Sequence, residues 1–249
     1  VVGADGAESA VRRALGVDRN PPGHLAVALR AYAPAPAGTP EQRLMLTAEG
    51  WPAYAWSFPI GDGRANVGYG EVLAGAPVSR ARLLARLTEL LGIPADALQA
   101  CRAHHLPLSS WRPAHRDGRV LLAGDAASLI NPFTGEGIYY AVLSGALAGA
   151  AALNGAGAGV VYRRALRRQL GRHLRHTTAA AALAGRPAMA DAGVRAAAAD
   201  QRVFDDLVEL GLGQGLLTLR TAGRTAGRAT TRAATEASQA ALHRVLART

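Results

Sequence analysis

The sequence of 249 residues contains no lysine, a single cysteine and few aromatic side chains. The one cysteine, Cys101, cannot build a disulfide framework or a thiolate zinc cluster, and its isolation is typical of a reducing compartment. The absence of lysine excludes Schiff-base chemistry and the phosphate-binding lysine of P-loop proteins. Apolar residues make up 49% and charged residues 18% of the chain, which excludes a disordered or collagen-like protein.

All 28 basic residues are arginines, and the formal net charge is +10. This balance indicates an anionic partner, although a codon bias toward arginine explains the same composition. We expect no nucleic acid, because the sequence carries no recognised nucleic-acid-binding module. Two arginine groups at helical spacing are either plainly solvent-exposed or in contact with anions: lipid phosphates or an isoprenoid diphosphate for the first group, and an anionic membrane surface for the second. They are a run without a neighbouring acid (Arg163, Arg164, Arg167, Arg168, Arg172, Arg175) and a stripe (Arg220, Arg224, Arg228, Arg232).

Several segments have the periodicity of regular structure. We expect Val1 and Val2 to end a buried strand, and residues 9–15 to form a short helix capped by Ser9. Strand patterns follow at residues 24–32, 43–47, 53–59, 64–71 and 97–108, with a helix at 79–91. The turn at residues 61–63 predicts an antiparallel hairpin. The chain opens inside this pattern without an initiator Met or a signal peptide, and we interpret it as a piece of a longer protein.

The uncharged stretch between Glu136 and Arg163 is long enough to span a membrane. Its many glycine and alanine residues favour instead a helix buried between a sheet and other helices. From residue 160 to the end the pattern is helical.

The run Arg119–Ile138, RVLLAGDAASLINPFTGEGI, carries the clearest chemical signal. An apolar strand leads to Gly124 and Asp125 at its carboxyl edge, where open α/β sheets bind ligands. A loop with Pro132, Gly135 and Gly137 then leads into a helix, whose first N–H groups favour an anionic group. The Asp125 carboxylate can accept hydrogen bonds from sugar-type hydroxyls.

This run resembles the second flavin-binding motif of the FAD-dependent oxidoreductases related to p-hydroxybenzoate hydroxylase. The resemblance implies that Asp125 holds the ribityl chain of FAD, and that Gly124, Pro132, Gly135 and Gly137 belong to the cofactor site. A second segment, Gly3-Ala4-Asp5-Gly6 with Arg12, resembles the Asp-Gly motif of that family. It implies that Asp5 and Gly6 lie near the FAD pyrophosphate and that Arg12 orders the turn.

A third segment, WPAYAWSFPIGDGRANVGYG at residues 51–70, narrows the family. Alternate residues of a strand share one face, so Tyr54, Trp56 and Phe58 are expected to project together. The segment resembles the YxWxFP region of geranylgeranyl reductases, which implies that these three residues line a substrate cavity and makes Tyr54 a candidate proton donor. The alternative is an aromatic face packed in the core.

The resemblance implies an α/β fold. It has a Rossmann-like FAD-binding domain whose N-terminal half is missing, an inserted antiparallel β-rich substrate domain and C-terminal helices. The expected boundaries are 1–16 and 107–185 for the FAD-binding domain, 17–106 for the substrate domain and 186–249 for the helical region. The GxGxxG turn that binds the ADP half of FAD is not found after a strand. The glycines at 211–215 lie in a helical context with the wrong spacing.

The implied activity is FAD-dependent reduction of isoprenoid carbon–carbon double bonds, with NAD(P)H or another electron donor. An isoprenoid lipid is the expected substrate, and the expected location is the cytoplasm, peripheral on the inner face of the membrane. Two alternatives stay open: an FAD-dependent monooxygenase or halogenase acting on an aromatic substrate, and a basic lipid-binding piece without catalysis. No metal is expected, since the adjacent residues His104 and His105 point to opposite faces of a strand.

Overall fold

The computed structural model describes residues 1–75, 77–113 and 117–228. They form two compact units, Val1–Gln169 and a second that begins at Leu170. The strands are β1 (Val2–Gly3), β2 (Leu25–Pro34), β3 (Arg43–Leu46), β4 (Ala53–Pro59), β5 (Arg64–Val72), β6 (Gln99–Pro107) and β7 (Leu121–Leu122). The α-helices are α1 (Ala10–Ala14), α2 (Arg80–Leu91), α3 (Ile138–Ala152), α4 (Ala158–Ala184), α5 (Pro187–Ala199) and α6 (Gln201–Leu212).

An antiparallel sheet in the order β3-β4-β5-β2-β6 dominates the first unit. The predicted hairpin joins β4 to β5, with Ala53 paired to Glu71 and Pro59 paired to Ala65. The turn needs glycine because Gly61 and Gly63 have φ angles of +90° and +78°, which side chains with a Cβ rarely adopt. The sheet therefore takes its register from a local turn signal.

Helix α2 covers one face of this sheet. It begins as predicted at Ser79, whose side chain accepts a hydrogen bond from the Arg82 N–H, and it ends at Gly92 with a φ angle of +64°. Leu83 and Leu87 are buried against the inward residues of the strands, and each such leucine stabilises the fold by roughly 1.5–3 kcal/mol. Those inward residues are Val27, Leu29, Ala31, Ala33, Ala53, Ala55, Ala65, Val67 and Tyr69.

Strands β1 and β7 form a separate parallel pair, with Val2 opposite Leu121. The expectation of a buried strand end at Val1 and Val2 is wrong, since both side chains are exposed. Burial begins at Gly3, where an added Cβ would lie 2.8 Å from Val11 and 2.9 Å from Leu122. This close approach places α1 directly beside the pair.

Helix α3 corrects the expectation of a fully buried helix. Tyr140, Ser144, Ala148 and Ala151 are buried on one side, whereas Ile138, Val142 and Leu153 are 78%, 69% and 89% exposed. The small residues of this helix allow close packing on one side only, so composition alone overstated its burial. No helix in the described part of the chain is long and apolar enough to cross a membrane.

The C-terminal pattern is helical but not continuous. α6 ends at Leu212 and helical structure resumes at residues 219–228. The glycines at 211–215 thus lie at the end of a helix and just after it, not after a strand, as expected from the sequence. Arg232, the last residue of the predicted arginine stripe, lies outside the described residues.

Candidate functional site

The Gly-Asp segment follows β7 directly. Residues 124–127 form one 3-10 turn, and Gly124 adopts a φ angle of +56°. Residues 131–137, which we call the flavin loop, then lead into α3. Two backbone bonds close this loop, from the Gly135 N–H to the Asn131 carbonyl and from the Asn131 N–H to the Glu136 carbonyl, each 2.8 Å long. The motif read from the sequence is therefore one compact strand-turn-helix unit.

Asp125 has the chemistry that a flavin ribityl chain requires. The side chain is half-buried, and no residue in the described ranges donates a hydrogen bond to its carboxylate. Burial raises its pKa, the nearby Glu136 carboxylate raises it further, and His104 lowers it. A partly desolvated acceptor without a donor gains most from a ligand hydroxyl. An added Cβ at Gly137 would lie 3.4 Å from the Asp125 Oδ1 atom and 3.1 Å from Ile130, so glycine keeps this space open.

Glu136 is a residue of the site that sequence reasoning missed. Its Oε1 atom accepts hydrogen bonds from the N–H groups of Ile138 at 2.8 Å and Tyr139 at 3.2 Å. These two donors at the start of α3 are therefore not free for a ligand, which corrects the expectation from the motif. The Oε2 atom is buried and has no hydrogen-bond partner among the residues that the structure describes. A glutamate just before a helix start is the signal that could have indicated this cap.

Asp5, in the second predicted flavin segment, caps α1. Its carboxylate accepts hydrogen bonds from the Ser9 hydroxyl at 2.5 Å and from the Ala10 N–H at 2.7 Å. These bonds, that of Ser9 first, lower the pKa of Asp5 despite the opposing effect of desolvation. Gly6 has a φ angle of +80° at the turn before the cap. The carboxylate is thus fixed and ionised at neutral pH.

Arg12 links this segment to the flavin motif. It is 4% exposed, and its guanidinium donates to the Ser128 hydroxyl at 2.6 Å, to the Asn20 side-chain oxygen at 3.1 Å and to the Asp18 carbonyl. Ser128 also donates to Asn20 at 2.7 Å, and Asn20 donates to the Leu108 carbonyl at 3.0 Å. Burial lowers the pKa of Arg12. The sequence predicted that Arg12 orders a turn but gave no signal for Asn20 or Ser128.

The three predicted aromatic residues lie on one face of β4, opposite α2. Tyr54, Trp56 and Phe58 are half-buried there, whereas Ala53 and Ala55 fill the core beneath α2. The Tyr54 and Trp56 ring centroids are 5.9 Å apart. The three aromatic residues thus lie outside the core beneath α2, and their role in lining a substrate cavity stays a prediction.

The polar tips of this aromatic face are bonded within the protein. The Tyr54 hydroxyl donates to the Thr134 carbonyl of the flavin loop at 2.5 Å, and burial, followed by the Glu136 charge, raises its pKa to about 12. The Trp56 indole N–H donates to the Asn66 side-chain oxygen at 2.9 Å. The structure thus brings Tyr54 into direct contact with the flavin loop.

Cys101, His104 and His105 do not converge. In the chain segments that the structure describes, no group of three His, Cys, Asp or Glu side chains is arranged to hold a metal. His105 Nδ1 lies 3.1 Å from the Glu8 carboxylate, whereas His104 lies near Asp125.

Residues 1–151, more than half of the chain, match the family model described as FAD binding domain. The chain belongs to this FAD-binding family. It is 29% identical to the menaquinone reductase of Mycolicibacterium smegmatis, over 58% of this chain and 38% of that protein. It is 35% identical to the digeranylgeranylglycerophospholipid reductase of Methanothrix thermoacetophila, over 70% of this chain and 48% of that protein. The chain thus spans less than half the length of these relatives.

The fold of this FAD-binding chain also occurs in a solved structure. A geranylgeranyl bacteriochlorophyll reductase-like protein from Thermoplasma acidophilum has a TM-score of 0.65 with 20% identity, covering 92% of this chain and 58% of the other. The predicted α/β flavoprotein fold, with an antiparallel insertion and C-terminal helices, is confirmed. The resemblance to geranylgeranyl reductases is confirmed as well. The four domain ranges and the roles of the single site residues stay predictions.

Proposed function

We propose that the protein containing this chain reduces carbon–carbon double bonds of isoprenoid lipids with FAD. The contact of the aromatic face of β4 with the flavin loop, through the Tyr54–Thr134 hydrogen bond, carries this proposal. An added Cβ at Gly135 would lie 3.4 Å from the Tyr54 hydroxyl, so the aromatic face of β4 and the flavin loop are in close contact. Similarity to a digeranylgeranylglycerophospholipid reductase and a menaquinone reductase supports the substrate class.

The residues of the loop fit the flavin. Asp125 would accept a ribityl hydroxyl, and the backbone at Gly124, Pro132, Gly135 and Gly137 would border the ring system without side-chain obstruction. Asp5, Gly6 and Arg12 would shape the second segment near the pyrophosphate. When bound and reduced, the flavin would supply a hydride to one carbon of the alkene, and a proton would be added to the other carbon.

The aromatic face suits a hydrocarbon chain. Its two polar tips, the Tyr54 hydroxyl and the Trp56 indole N–H, are already bonded to Thr134 and Asn66. These aromatic side chains therefore present only their rings to a ligand, and their two polar tips are not free to select the hydroxyl of a small phenol. The aromatic face would hold the alkene in place and exclude water.

Two partners belong to the same proposal. NAD(P)H or another donor would reduce the flavin. The protein would work peripherally at an anionic membrane surface, where its substrate resides. Exposed arginines along α4 support this second point; Arg163 is the exception in the predicted run, because it pairs with Asp117 at 2.5 Å.

Mass spectrometry of the products tests the proposal. The flavin-loaded protein is incubated anaerobically with a reductant and a geranylgeranyl lipid, and we expect products that carry one added hydrogen pair per reduced bond. Addition of oxygen or halogen to an aromatic ring in air would replace the proposal with a monooxygenase or halogenase. Lipid binding without turnover and without flavin absorbance would indicate a non-catalytic lipid-binding protein.

A further inference from the structure

A single row of paired residues crosses the large sheet on its aromatic face. In register it reads Leu44, Trp56, Gly68, Arg30 and Arg102. Directly opposed residues of antiparallel strands project to the same side of a sheet. The row is thus apolar at the β3 edge and carries two adjacent arginines at the β6 edge.

No acidic side chain of the described residues neutralises the positive charges of Arg30 and Arg102. Like charges directly opposite each other destabilise a sheet, and neither Arg30 nor Arg102 pairs with an acidic residue within residues 1–75, 77–113 and 117–228. Arg30 is half-buried, with its guanidinium carbon 4.8 Å from the centre of the Tyr32 ring. The guanidinium carbon of Arg64 lies 5.5 Å from the same ring, but that arginine is bound to Asp62.

The row that contains Arg30 and Arg102 is adjacent to the row of paired residues that contacts the flavin loop. The neighbouring row on the same face joins Tyr54, Gly70, Ala28 and His104, and Tyr54 in that row contacts the loop. Two residues along a strand cover about 7 Å. The Trp56 indole lies over Gly68, where an added Cβ would be 2.1 Å from its Cζ2 atom. Gly70 and Ala28 carry little side-chain bulk, so a chain can lie on the sheet over these two residues, between the arginines, the Trp56 indole and the loop.

We propose that Arg30 and Arg102 bind the phosphate headgroup of the isoprenoid substrate while its prenyl chain follows the aromatic face toward the flavin loop. This inference rests on the proposed function and narrows its substrate class to phosphate esters. Guanidinium groups bind phosphate oxygens through paired, charge-assisted hydrogen bonds. A neutral quinone headgroup offers no charge that would compensate the two opposed cations.

Calorimetric binding to the flavin-loaded full-length protein tests the pair. The ligands are geranylgeranyl diphosphate, digeranylgeranylglyceryl phosphate, geranylgeraniol and menaquinone, with inorganic diphosphate as competitor. The variants are Arg30→Gln, Arg102→Gln and the double variant. Arg43→Gln is the matched control, because Arg43 pairs with Ser57 in the row on the opposite face. Thermal unfolding of each variant reports folding, and loss of one of two opposed cations should not lower Tm.

We expect Arg30→Gln and Arg102→Gln each to raise the Kd of both phosphate esters at least about tenfold and to leave the Kd of geranylgeraniol unchanged. The control Arg43→Gln should change none of these values. Competition by inorganic diphosphate alone supports a headgroup site, and the tighter of the two esters identifies the natural headgroup. Equal weakening of geranylgeraniol, or unchanged binding of the esters, overturns the inference. Reduction of geranylgeraniol or menaquinone that persists in the double variant, with unchanged ester binding, leaves the reductase proposal intact. If ester binding depends on the two arginines but none of the four ligands is reduced, the reductase proposal is contradicted instead.

Discussion

At the scale of single residues, Asp125 shows how binding chemistry competes with stability. Its folded-state pKa is raised above the ordinary value, so the carboxyl group binds a proton more tightly in the native state than in the unfolded chain. The stability of the native state is then fully present at low pH and falls as the pH rises through the raised pKa. At neutral pH the ionised carboxylate therefore destabilises the protein without flavin, and a hydroxyl of bound flavin would compensate this cost.

Replacement of Asp125 separates the two effects. Asp125→Asn should weaken FAD binding by about 1.5–3 kcal/mol, roughly tenfold to a hundredfold in Kd, and raise the free energy of unfolding of the flavin-free protein at pH 7. The flavin-to-protein absorbance ratio and urea unfolding measure these changes. Asp96→Asn, at an exposed turn, is the control. Unchanged flavin content would remove Asp125 from the site.

Tyr54 is better described as a residue that positions the flavin loop than as a proton donor. Its hydroxyl is committed to the Thr134 carbonyl, and its pKa of about 12 keeps it protonated. Tyr54→Phe should lower the unfolding free energy by about 0.5–1.5 kcal/mol. That difference should be constant below pH 10 and decline toward pH 12, because a raised pKa stabilises the protonated native state.

Turnover distinguishes the two roles of Tyr54. A positioning residue should leave the maximal rate of Tyr54→Phe within about tenfold of the wild type. Loss of a general acid costs on the order of 10²–10⁴ in rate, and a decrease of that size would assign the proton transfer to Tyr54 after all.

The position of the Trp56 indole ring depends on the absence of a side chain at Gly68, which lies beneath it. An added Cβ at Gly68 would lie 2.1 Å from the indole Cζ2 atom, so Gly68→Ala should displace the ring without removing it. We expect Trp56→Ala and Gly68→Ala each to reduce the turnover efficiency of a polyprenyl substrate by about 1–3 kcal/mol, roughly tenfold to a hundredfold. FAD should stay bound. Gly145→Ala, where an added Cβ meets nothing within 4 Å, serves as control, and normal turnover in Gly68→Ala would contradict this packing argument.

At the scale of elements, the Arg12 network joins α1, the loop at residues 17–24 and the turn at 124–127. Arg12→Met should lower the free energy of unfolding by about 2–4 kcal/mol, because it leaves buried Asn20 and Ser128 atoms without their charged donor. Arg12→Lys should not restore the loss, since an ammonium cannot reproduce the guanidinium geometry. Urea unfolding measures the change, with the exposed Arg13→Met as control. A loss below about 0.5 kcal/mol would mean that the network contributes little.

The sequence predicted those elements whose signals are local. Ser79, Gly92 and the glycines at 61 and 63 fixed the ends of α2 and the β4–β5 hairpin, because caps and turns depend on neighbouring residues. The partners of Arg12 could not be predicted in this way, since Ser128 lies 116 positions away. The exposed side of α3 was missed because composition does not tell which of its faces is covered.

At the scale of the whole molecule, the net charge of +10 makes binding to an anionic membrane a testable prediction. If the exposed arginines of α4 contact anionic lipid, binding to phosphatidylserine vesicles should fall steeply with added salt. Substitution of Arg164, Arg167 and Arg168 by glutamine should weaken it by about 1 kcal/mol per residue. Vesicle co-sedimentation measures binding, with neutral vesicles as control. Binding that ignores salt and lipid charge would identify these arginines as solvent-exposed only.

The alternation of small and aromatic residues along β4 has an evolutionary consequence. Ala53, Ala55 and Ser57 are buried on the α2 side, and Tyr54, Trp56 and Phe58 project on the other. Substitutions at the even positions can therefore alter the aromatic face, which we propose contacts the lipid, while the core beneath α2 remains intact. A one-residue insertion or deletion would exchange the two sets and disrupt both at once. Substrate range in this lineage should therefore diversify by point substitution, with the length of the hairpin held constant.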